Sequence, residues 1–368
     1  MSQDINFVNK VIWTENSIST LNSILADQKY VLREKNLYKL HKIIIVDKSL
    51  ESIFVNNFKK IDKSTIIIRN ASEPDIYEVD ACVQKISNDF SVENSCVISI
   101  GGGSTLDFGK AVSNLLGNPG LAETYQGWEL VENPGAIKIG IPTIFGTGAE
   151  TSRTCVLLNP KRKLKLGMNS VHSLFDLVII NPEMANSAPR EVLFFTAMDG
   201  LFHATEILRG KNRSIFTDSI AKWSQERMFS GLAKFVEHNH SDFLLDFAVG
   251  SFFGGIALAN GTVGLVHPFS AALSVVFGTP HGKANCLAFK GLTQFYPEDS
   301  VEIESLISKF NDNNQSNFIT LDGRIIRDRI DDLVDSTLIH EKPLSNHLGA
   351  DYKEILTRDR VAEIFLSI

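Results

Sequence analysis

Cysteine is scarce in this chain: four stand among 368 residues, and none forms a Cys-x-x-Cys pair. Such sparse usage argues against a disulfide framework and for reduced, buried thiols in a cytoplasmic protein. An excess of basic residues is lacking as well, because the formal net charge is −7. The chain therefore has no basic surface typical of nucleic-acid binding, and we expect no nucleic-acid partner.

A long uninterrupted hydrophobic run is also missing. The stretch Phe252–Phe277 is apolar enough to resemble a membrane span, but Asn260, His267 and Pro268 interrupt it. A buried helical hairpin explains the stretch better, so we expect no membrane insertion. The first residues, MSQDINFVNKVIW, lack a basic segment followed by an apolar core, and we therefore expect no secretory signal.

Short β-branched runs alternate with helical patterns up to about Pro182. The runs are KIIIVD, STIIIR, CVISIGGG, IKIGIPT and DLVIINP. Continuous apolar strands separated by helices predict a parallel sheet that is covered on both faces. Beyond Pro182 these signals give way to long helical patterns, of which PREVLFFTAMDGLFHATEIL is the first. We therefore predict an α/β domain at residues 1–182 that binds a dinucleotide, followed by an all-α, metal-binding domain at residues 183–368.

Four residues in the helical half have the types and spacing of a mononuclear metal site. Asp199 and His203 stand four apart, which places a carboxylate and an imidazole one turn apart on the same helix face. His267 and His281 have a gap that suits one ligand on a helix and another near the turn at Pro280. Three imidazoles and one carboxylate suit Fe or Zn rather than Ca or Mg. Each histidine taken singly is explained as well by a hydrogen-bonded core position, so the prediction rests on the set.

A glycine-rich turn, Gly101–Ser104, lies between the apolar run CVISI and the helical pattern TLDFGKAVSNLL. Glycines let the backbone approach a pyrophosphate, and the N–H groups and dipole at a helix start favour its charge. Taken by itself, the segment GGGS is explained equally well by a tight strand-to-helix turn that binds no ligand. The segment IPTIFGTGAETSRT adds Thr143 and Thr147, and Asp47 ends a strand where it can accept from ribose hydroxyls. Together these residues favour a dinucleotide, and Asp47 favours NAD over NADP.

Four segments carry a resemblance to a known family: GGGSTLDFGKAVS, IPTIFGTGAETS, AMDGLFHATE and VHPFSAALSVVFGTPHGKAN. In order and spacing the chain resembles, essentially from end to end, the iron-dependent (group III) alcohol dehydrogenases, which share a fold with dehydroquinate synthases. The resemblance implies a homodimer and a divalent metal, Fe2+ or Zn2+, held by Asp199, His203, His267 and His281. It also implies NAD(P) bound by Asp47, Gly102, Gly103, Ser104, Asp107, Thr143, Thr147 and Lys165.

Within that family the chain is similar to the 3-deoxy-D-manno-octulosonate (Kdo) 8-oxidase branch, which prepares C8 of the sugar acid for amination. The similar segments are GNPGLAETYQGW, GTGAETSRT, KLGMNS and DRVAEIFLSI. Many family members carry another His four residues after the third metal ligand, where this chain has Ala271. That difference indicates a remodelled substrate pocket. Arg153 is a candidate clamp for the carboxylate of Kdo, although a surface ion pair explains it equally well.

The resemblance implies oxidation of a primary alcohol to an aldehyde by hydride transfer. The expected substrate position is C8 of Kdo, ahead of its amination to 8-amino-3,8-dideoxy-octulosonate for lipopolysaccharide. The final electron acceptor is NAD(P), or oxygen, as the name of the branch suggests. Three other functions stay open: dehydrogenation of another small polyol or aldehyde, a dehydroquinate synthase-like lyase or cyclase, and nucleotide binding without catalysis. Lyases of the dehydroquinate synthase type bind zinc through Glu-His-His, whereas this chain offers one Asp and three His. The complete set of metal ligands argues against a non-catalytic protein.

Overall fold

The computed structural model describes residues 4–53, 61–70, 72–237, 242–313 and 323–368, and the chain divides into two compact units, Met1–Ser187 and Ala188–Ile368. The strands of the first unit are β1 Lys10–Trp13, β2 Val31–Leu32, β3 Lys35–Asn36, β4 His41–Asp47, β5 Ser64–Arg69, β6 Ser95–Gly101, β7 Gly127–Trp128, β8 Ile137–Pro142, β9 Thr154–Asn159, β10 Leu164–Asn169 and β11 Leu177–Ile180. Its helices include α1 Ser17–Ala26, α2 Ile76–Ser87 and α3 Gly103–Gly117.

The predicted parallel sheet is present and has six strands in the order β1-β11-β8-β6-β4-β5. Every neighbouring pair in it runs parallel. Successive side chains of a strand point to opposite faces, so Ile44 and Val46 join one buried cluster while Ile43 and Ile45 join another. Both faces are therefore covered by apolar side chains, which explains why the strands read as continuous apolar runs.

The register of this sheet brings the polar ends of three strands to one edge. Val46 of β4 pairs with Ile100 of β6, and Gly101 of β6 pairs with Pro142 of β8. The residues that follow β4, β6 and β8 therefore start at the same carboxyl edge, where ligands of open α/β sheets usually bind. Asp47, the glycine turn and the segment from Thr143 onward all begin at this edge.

A second, three-stranded sheet was not predicted. Its order is β7-β10-β9, with β9 and β10 antiparallel and β7 parallel to β10. The turn that joins β9 to β10 contains Lys163 in the left-handed region, at φ 52°. This hairpin matters for the candidate site because β10 carries Lys165 and β9 directly follows Arg153.

The second unit is helical, and its described residues contain no strand, as predicted. Its helices are α4 Arg190–Arg209, α5 Ile215–Val236, α6 Phe243–Asn260, α7 Val266–Phe277, α8 His281–Leu292, α9 Ser300–Asn313, α10 Gly323–Asp328, α11 Ile330–Leu338, α12 Glu341–Leu348, α13 Tyr352–Ile355 and α14 Arg358–Leu366. Helix α6 is long and apolar enough to cross a membrane by length and composition, but 67% of it is buried within the protein. It and α7 are two apolar, largely buried helices in the stretch where the sequence predicts a buried helical hairpin.

Candidate metal centre and nucleotide-binding turn

The glycine turn starts helix α3 without a side-chain cap. Gly102 is the N-cap residue and makes no side-chain cap. A Cβ added to Gly103 would lie 2.8 Å from Thr147 Oγ1, so only glycine lets these two segments pack directly. The backbone N–H of Thr143 donates to the Gly101 carbonyl at 3.0 Å. The structure thus brings together the turn and the two threonines that the sequence assigned to one site.

Asp47 has a local partner at the end of β4. Its Oδ1 accepts from the Ser49 backbone N–H at 2.9 Å and from the Ser49 hydroxyl at 2.7 Å. The carboxylate therefore caps the short 3-10 turn Lys48–Leu50 that follows the strand. Asp47 lies at the predicted edge of the sheet, and this contact holds its side chain in one orientation.

Arg69 is a buried neighbour of the glycine turn that sequence reasoning missed. Its guanidinium forms a two-point ion pair with Glu78, at 3.2 and 3.1 Å. The third nitrogen, Nη1, lies 3.3 Å from Ser104 Oγ and 3.4 Å from Thr105 Oγ1. Arg69 thus connects the end of β5 to the first turn of α3. The sequence signal that could have indicated this contact was an arginine at the end of the apolar run STIIIR.

Asp107 and Lys165, both predicted to bind the cofactor, have partners within the chain. Asp107 Oδ2 accepts from the Val156 backbone N–H at 2.9 Å, and burial raises the pKa of this carboxyl to about 6. Its Oδ1 is buried without a hydrogen-bond partner among the described residues. Lys165 Nζ lies 2.6 Å from Glu73 Oε1. A nucleotide at this edge would have to compete with Glu73 for the Lys165 ammonium group.

Arg153 forms an ion pair within the chain. Its Nη1 lies 2.5 Å from Glu129 Oε1, and its guanidinium lies over the Trp128 ring at 5.8 Å. The Arg153 side chain is 18% exposed, whereas that of Glu129 is 55% exposed. This ion pair is one of the two explanations that the sequence left open for Arg153. A substrate carboxylate that binds to Arg153 would have to displace Glu129.

Helix α4 carries the Asp-His pair of the predicted metal site. Asp199 and His203 are both buried, and His203 Nε2 lies 3.7 Å from Asp199 Oδ1. The four-residue spacing places them one helical turn apart on the same face, as the sequence predicted. The Asn285 amide donates to Asp199 Oδ1 at 2.6 Å, which holds the carboxylate from the side of α8.

The other two histidines converge on the same carboxylate oxygen. His267 Nε2 lies 3.3 Å and His281 Nε2 lies 3.5 Å from Asp199 Oδ1. Hydrogen bonds between nitrogen and oxygen are usually about 2.7–3.2 Å long. Ligand atoms on neighbouring corners of a tetrahedral site with bonds of about 2.0–2.1 Å stand about 3.4 Å apart. The three spacings from Asp199 Oδ1 therefore fit a divalent cation between this oxygen and the imidazoles better than direct hydrogen bonds.

Three of the four donors form a compact group by themselves. The ligand atoms of Asp199, His203 and His267 all lie within 4.8 Å of one another. The rings of His203 and His267 are stacked, with centroids 4.4 Å apart. His281 stands at the first residue of α8, close to Asp199 and with its ring centroid 5.4 Å from that of His267.

The electrostatics of this cluster favour an ionised aspartate. Burial alone raises the pKa of the Asp199 carboxyl, but His203, His281 and His267 outweigh burial and hold that pKa well below its usual range. Burial lowers the pKa of His203 to about 4, so this imidazole is neutral at pH 7. Burial also lowers the pKa of His267, but Glu206 and Asp199 reverse this effect and raise it to about 9.

Glu206 is the charged neighbour of the metal centre that sequence reasoning missed. It lies three residues after His203 on α4 and is fully buried. One of its oxygens contacts His267 Nδ1. A glutamate on the same helix face as Asp199 and His203 was a usable sequence signal, but its partner stands 61 residues further along the chain.

Comparison with known proteins places both units in one family. Residues 10–182 match the family described as iron-containing alcohol dehydrogenase, and residues 194–338 match the C-terminal region of the Fe-containing alcohol dehydrogenase family. The chain is 29% identical to 4-hydroxybutyrate dehydrogenase of Clostridium kluyveri, over 71% of this chain and 69% of that protein. It is 32% identical to sulfoacetaldehyde reductase of Bilophila wadsworthia, over 51% of this chain and 49% of that protein.

Solved structures share the fold along nearly the whole chain. A 1,3-propanediol oxidoreductase is 20% identical with a TM-score of 0.79, covering 99% of each chain. Sulfoacetaldehyde reductase from Bifidobacterium kashiwanohense, solved in complex with NAD+, is 19% identical with a TM-score of 0.76, covering 99% of this chain and 98% of that chain. With the two family matches spanning both units, the chain belongs to the iron-containing alcohol dehydrogenase family and is an oxidoreductase.

Proposed function

We propose that this protein oxidises a primary alcohol to an aldehyde by hydride transfer to NAD(P), using a divalent cation, Fe2+ or Zn2+, held by Asp199, His203, His267 and His281. The observation that carries the proposal is the convergence of three imidazole nitrogens on Asp199 Oδ1 at 3.3–3.7 Å. A bound divalent cation supplies Lewis acidity that lowers the pKa of an alcohol hydroxyl. The chain itself contributes the Asp199 carboxylate, whose pKa is held well below its usual range, and three imidazole nitrogens.

The first unit supplies the proposed dinucleotide site. Gly102 and Gly103 allow a diphosphate to approach the uncapped N–H groups at the start of α3. We assign Asp47 to the ribose hydroxyls, and Thr143 and Thr147 to hydroxyl contacts with the nucleotide beside the turn. We assign Ser104, Asp107 and Lys165 to the same site. The relative solved in complex with NAD+ supports this cofactor.

For the substrate we propose C8 of Kdo, in the step that precedes its amination for lipopolysaccharide. Arg153 supports an acidic substrate, because a guanidinium pairs with a carboxylate through two hydrogen bonds. Two relatives are named for 4-hydroxybutyrate and sulfoacetaldehyde, which are small compounds with one anionic group. The relatives named for 1,3-propanediol favour a second candidate, a dehydrogenase of neutral diols.

The direct test uses protein reconstituted with Fe2+ or Zn2+. It is incubated with Kdo, 4-hydroxybutyrate or 1,3-propanediol, each with NAD, with NADP, or with oxygen alone, while aldehyde and reduced nucleotide are measured together. We expect aldehyde from Kdo and one reduced nucleotide for each aldehyde. Turnover of the neutral diol alone would replace Kdo by the second candidate. Consumption of oxygen in place of nucleotide would make the protein an oxidase, and conversion without net oxidation would overturn the proposal.

Replacing Arg153 with Ala is expected to raise KM for acidic substrates and to leave KM for 1,3-propanediol unchanged. A hydrogen bond to a charged group contributes about 1.5–3 kcal/mol, which corresponds to roughly a tenfold to hundredfold rise in KM. Steady-state kinetics on both substrate types measure the difference. Arg162→Ala, at an exposed turn residue, is the matched control.

The pairing of Arg153 with Glu129 adds a second variant to the same experiment. Glu129→Gln removes the competing carboxylate and keeps the side-chain size, so KM for an acidic substrate is expected to fall. An equal rise in KM for acidic and neutral alcohols in Arg153→Ala would exclude Arg153 from carboxylate binding.

A further inference from the structure

Glu206 is the most completely enclosed carboxylate near the candidate metal centre. Its side chain is 0% exposed, and both of its oxygens have partners. Oε2 contacts His267 Nδ1. Oε1 accepts from the Val266 backbone N–H at 2.5 Å and from the Tyr296 hydroxyl at 3.2 Å. A buried carboxylate is costly unless it is fully hydrogen-bonded, so this arrangement needs an explanation beyond chain packing.

The contact with Glu206 decides which nitrogen of His267 carries a proton. An ionised carboxylate only accepts hydrogen bonds, so His267 Nδ1 is the donor in this pair. The other nitrogen, Nε2, then presents its lone pair when the ring is neutral. That nitrogen is the one that lies 3.3 Å from Asp199 Oδ1. The Glu206 contact therefore turns the donor atom of His267 towards the cluster.

Glu206 also fixes the backbone that carries His267. The N-cap residue of α7, Leu265, makes no side-chain cap, so the first N–H groups of this helix need other acceptors. Glu206 accepts from Val266, and the Tyr296 oxygen accepts from the Leu265 N–H at 3.1 Å. A negative charge at this end of a helix is also favoured by the helix dipole. One carboxylate from α4 thus sets both the start of α7 and the ring of its second residue.

We infer that Glu206 is a positioning residue for the metal centre, which orients His267 with Nε2 towards the cation and anchors the start of the helix that carries it. This inference rests on the proposed metal site. It assigns no substrate and does not depend on which alcohol is oxidised.

The test measures metal binding directly on the full chain. Glu206→Gln keeps the size of the side chain and removes its charge. We expect its affinity for Zn2+ and Co2+, measured by competition with a chelator, to fall roughly tenfold to a hundredfold. The visible absorption spectrum of the Co2+ form is expected to shift, because the donor strength of His267 changes. NADH binding, which involves the other unit, is expected to stay within twofold of the unsubstituted protein.

Two companion variants separate this role from simple packing. Tyr296→Phe removes a hydrogen bond to the same carboxylate without changing charge, and it is expected to change metal affinity less than threefold. In a His267→Ala background, Glu206→Gln is expected to cause little further loss, because Glu206 acts through His267. An equal loss in both backgrounds, or an unchanged affinity and Co2+ spectrum in Glu206→Gln, would overturn the inference.

If Glu206→Gln does not fold, Glu206→Asp takes its place, since it keeps the charge and shortens the reach to His267. A weakened Co2+ site with a shifted spectrum then supports the inference, and an unaltered site overturns it. These outcomes are distinct from failure of the proposed function. A protein that binds metal with the expected dependence on Glu206 but turns over no alcohol would retain the inference and lose the proposed reaction.

Discussion

His267→Ala is expected to abolish turnover and to lower the affinity for Zn2+ by roughly a hundredfold. A complete four-ligand zinc site binds with about 10–16 kcal/mol, so one ligand accounts for about 3 kcal/mol, which is a factor of about a hundred. The substitution also leaves Oε2 of the buried Glu206 carboxylate without its His267 partner, which adds to the cost. Competition with a chelator gives the affinity, and metal analysis of the purified protein gives the occupancy.

The control for this experiment is His340→Ala, which removes a histidine outside the cluster and should leave metal content unchanged. NADH binding should persist in His267→Ala, because the glycine turn belongs to the other unit. Unaltered zinc affinity in His267→Ala would contradict the assignment of this residue as a ligand. Full alcohol turnover by chelator-treated protein that contains no metal would contradict the whole site.

Gly282→Ala is expected to destabilise the protein by about 3 kcal/mol and to weaken metal binding in the same variant. A Cβ at this position would lie 2.2 Å from the Phe195 carbonyl oxygen and 2.7 Å from its carbon. These are backbone atoms of α4, so the contact cannot be relieved by rotating a side chain. Helix α8 must move away from α4, and His281 stands at the residue before the substitution.

Denaturant unfolding measures the loss of stability, and chelator competition measures the effect on the metal site. Gly323→Ala provides the matched control, because a Cβ there meets no atom of the described residues within 4 Å. We expect that variant to be neutral or slightly stabilising, since alanine reduces the entropy of the unfolded chain. If Gly282→Ala unfolded at the same denaturant concentration as the control, the close approach of α8 to α4 would be wrong.

Much of the fold could be predicted because its signals are local. The runs KIIIVD, CVISIGGG and IKIGIPT became the buried strands β4, β6 and β8 of a parallel sheet. The antiparallel hairpin of β9 and β10 escaped prediction. Burial alternates along β9, but its sequence TCVLLN is apolar at four successive positions and hides the alternation, and burial along β10 alternates only in part. The edge strand β1 has four residues, too few for a clear periodic signal.

In the candidate site, too, features with local sequence signals could be predicted, whereas contacts between distant residues could not. The pair Asp199 and His203 follows from helical periodicity, and the glycine turn follows from strand, glycine and helix signals in one short segment. The partners of Lys165 and Arg153 could not be predicted, because Glu73 stands 92 residues away from one and Glu129 stands 24 residues away from the other. From the sequence, both basic side chains were candidates to bind a ligand. In the structure, each of them has a carboxylate partner.

By itself the sequence determined the parallel sheet, the helical second unit, the glycine turn and the residue types of a metal site, since each depends on periodicity or spacing within about twenty residues. Only the tertiary structure decided that His267 and His281 reach the same oxygen of Asp199, and that Glu206 stands behind His267. The physical reason is that these contacts join α4, α7 and α8. Their geometry depends on how closely the helices pack, which the residue order along any one helix does not specify.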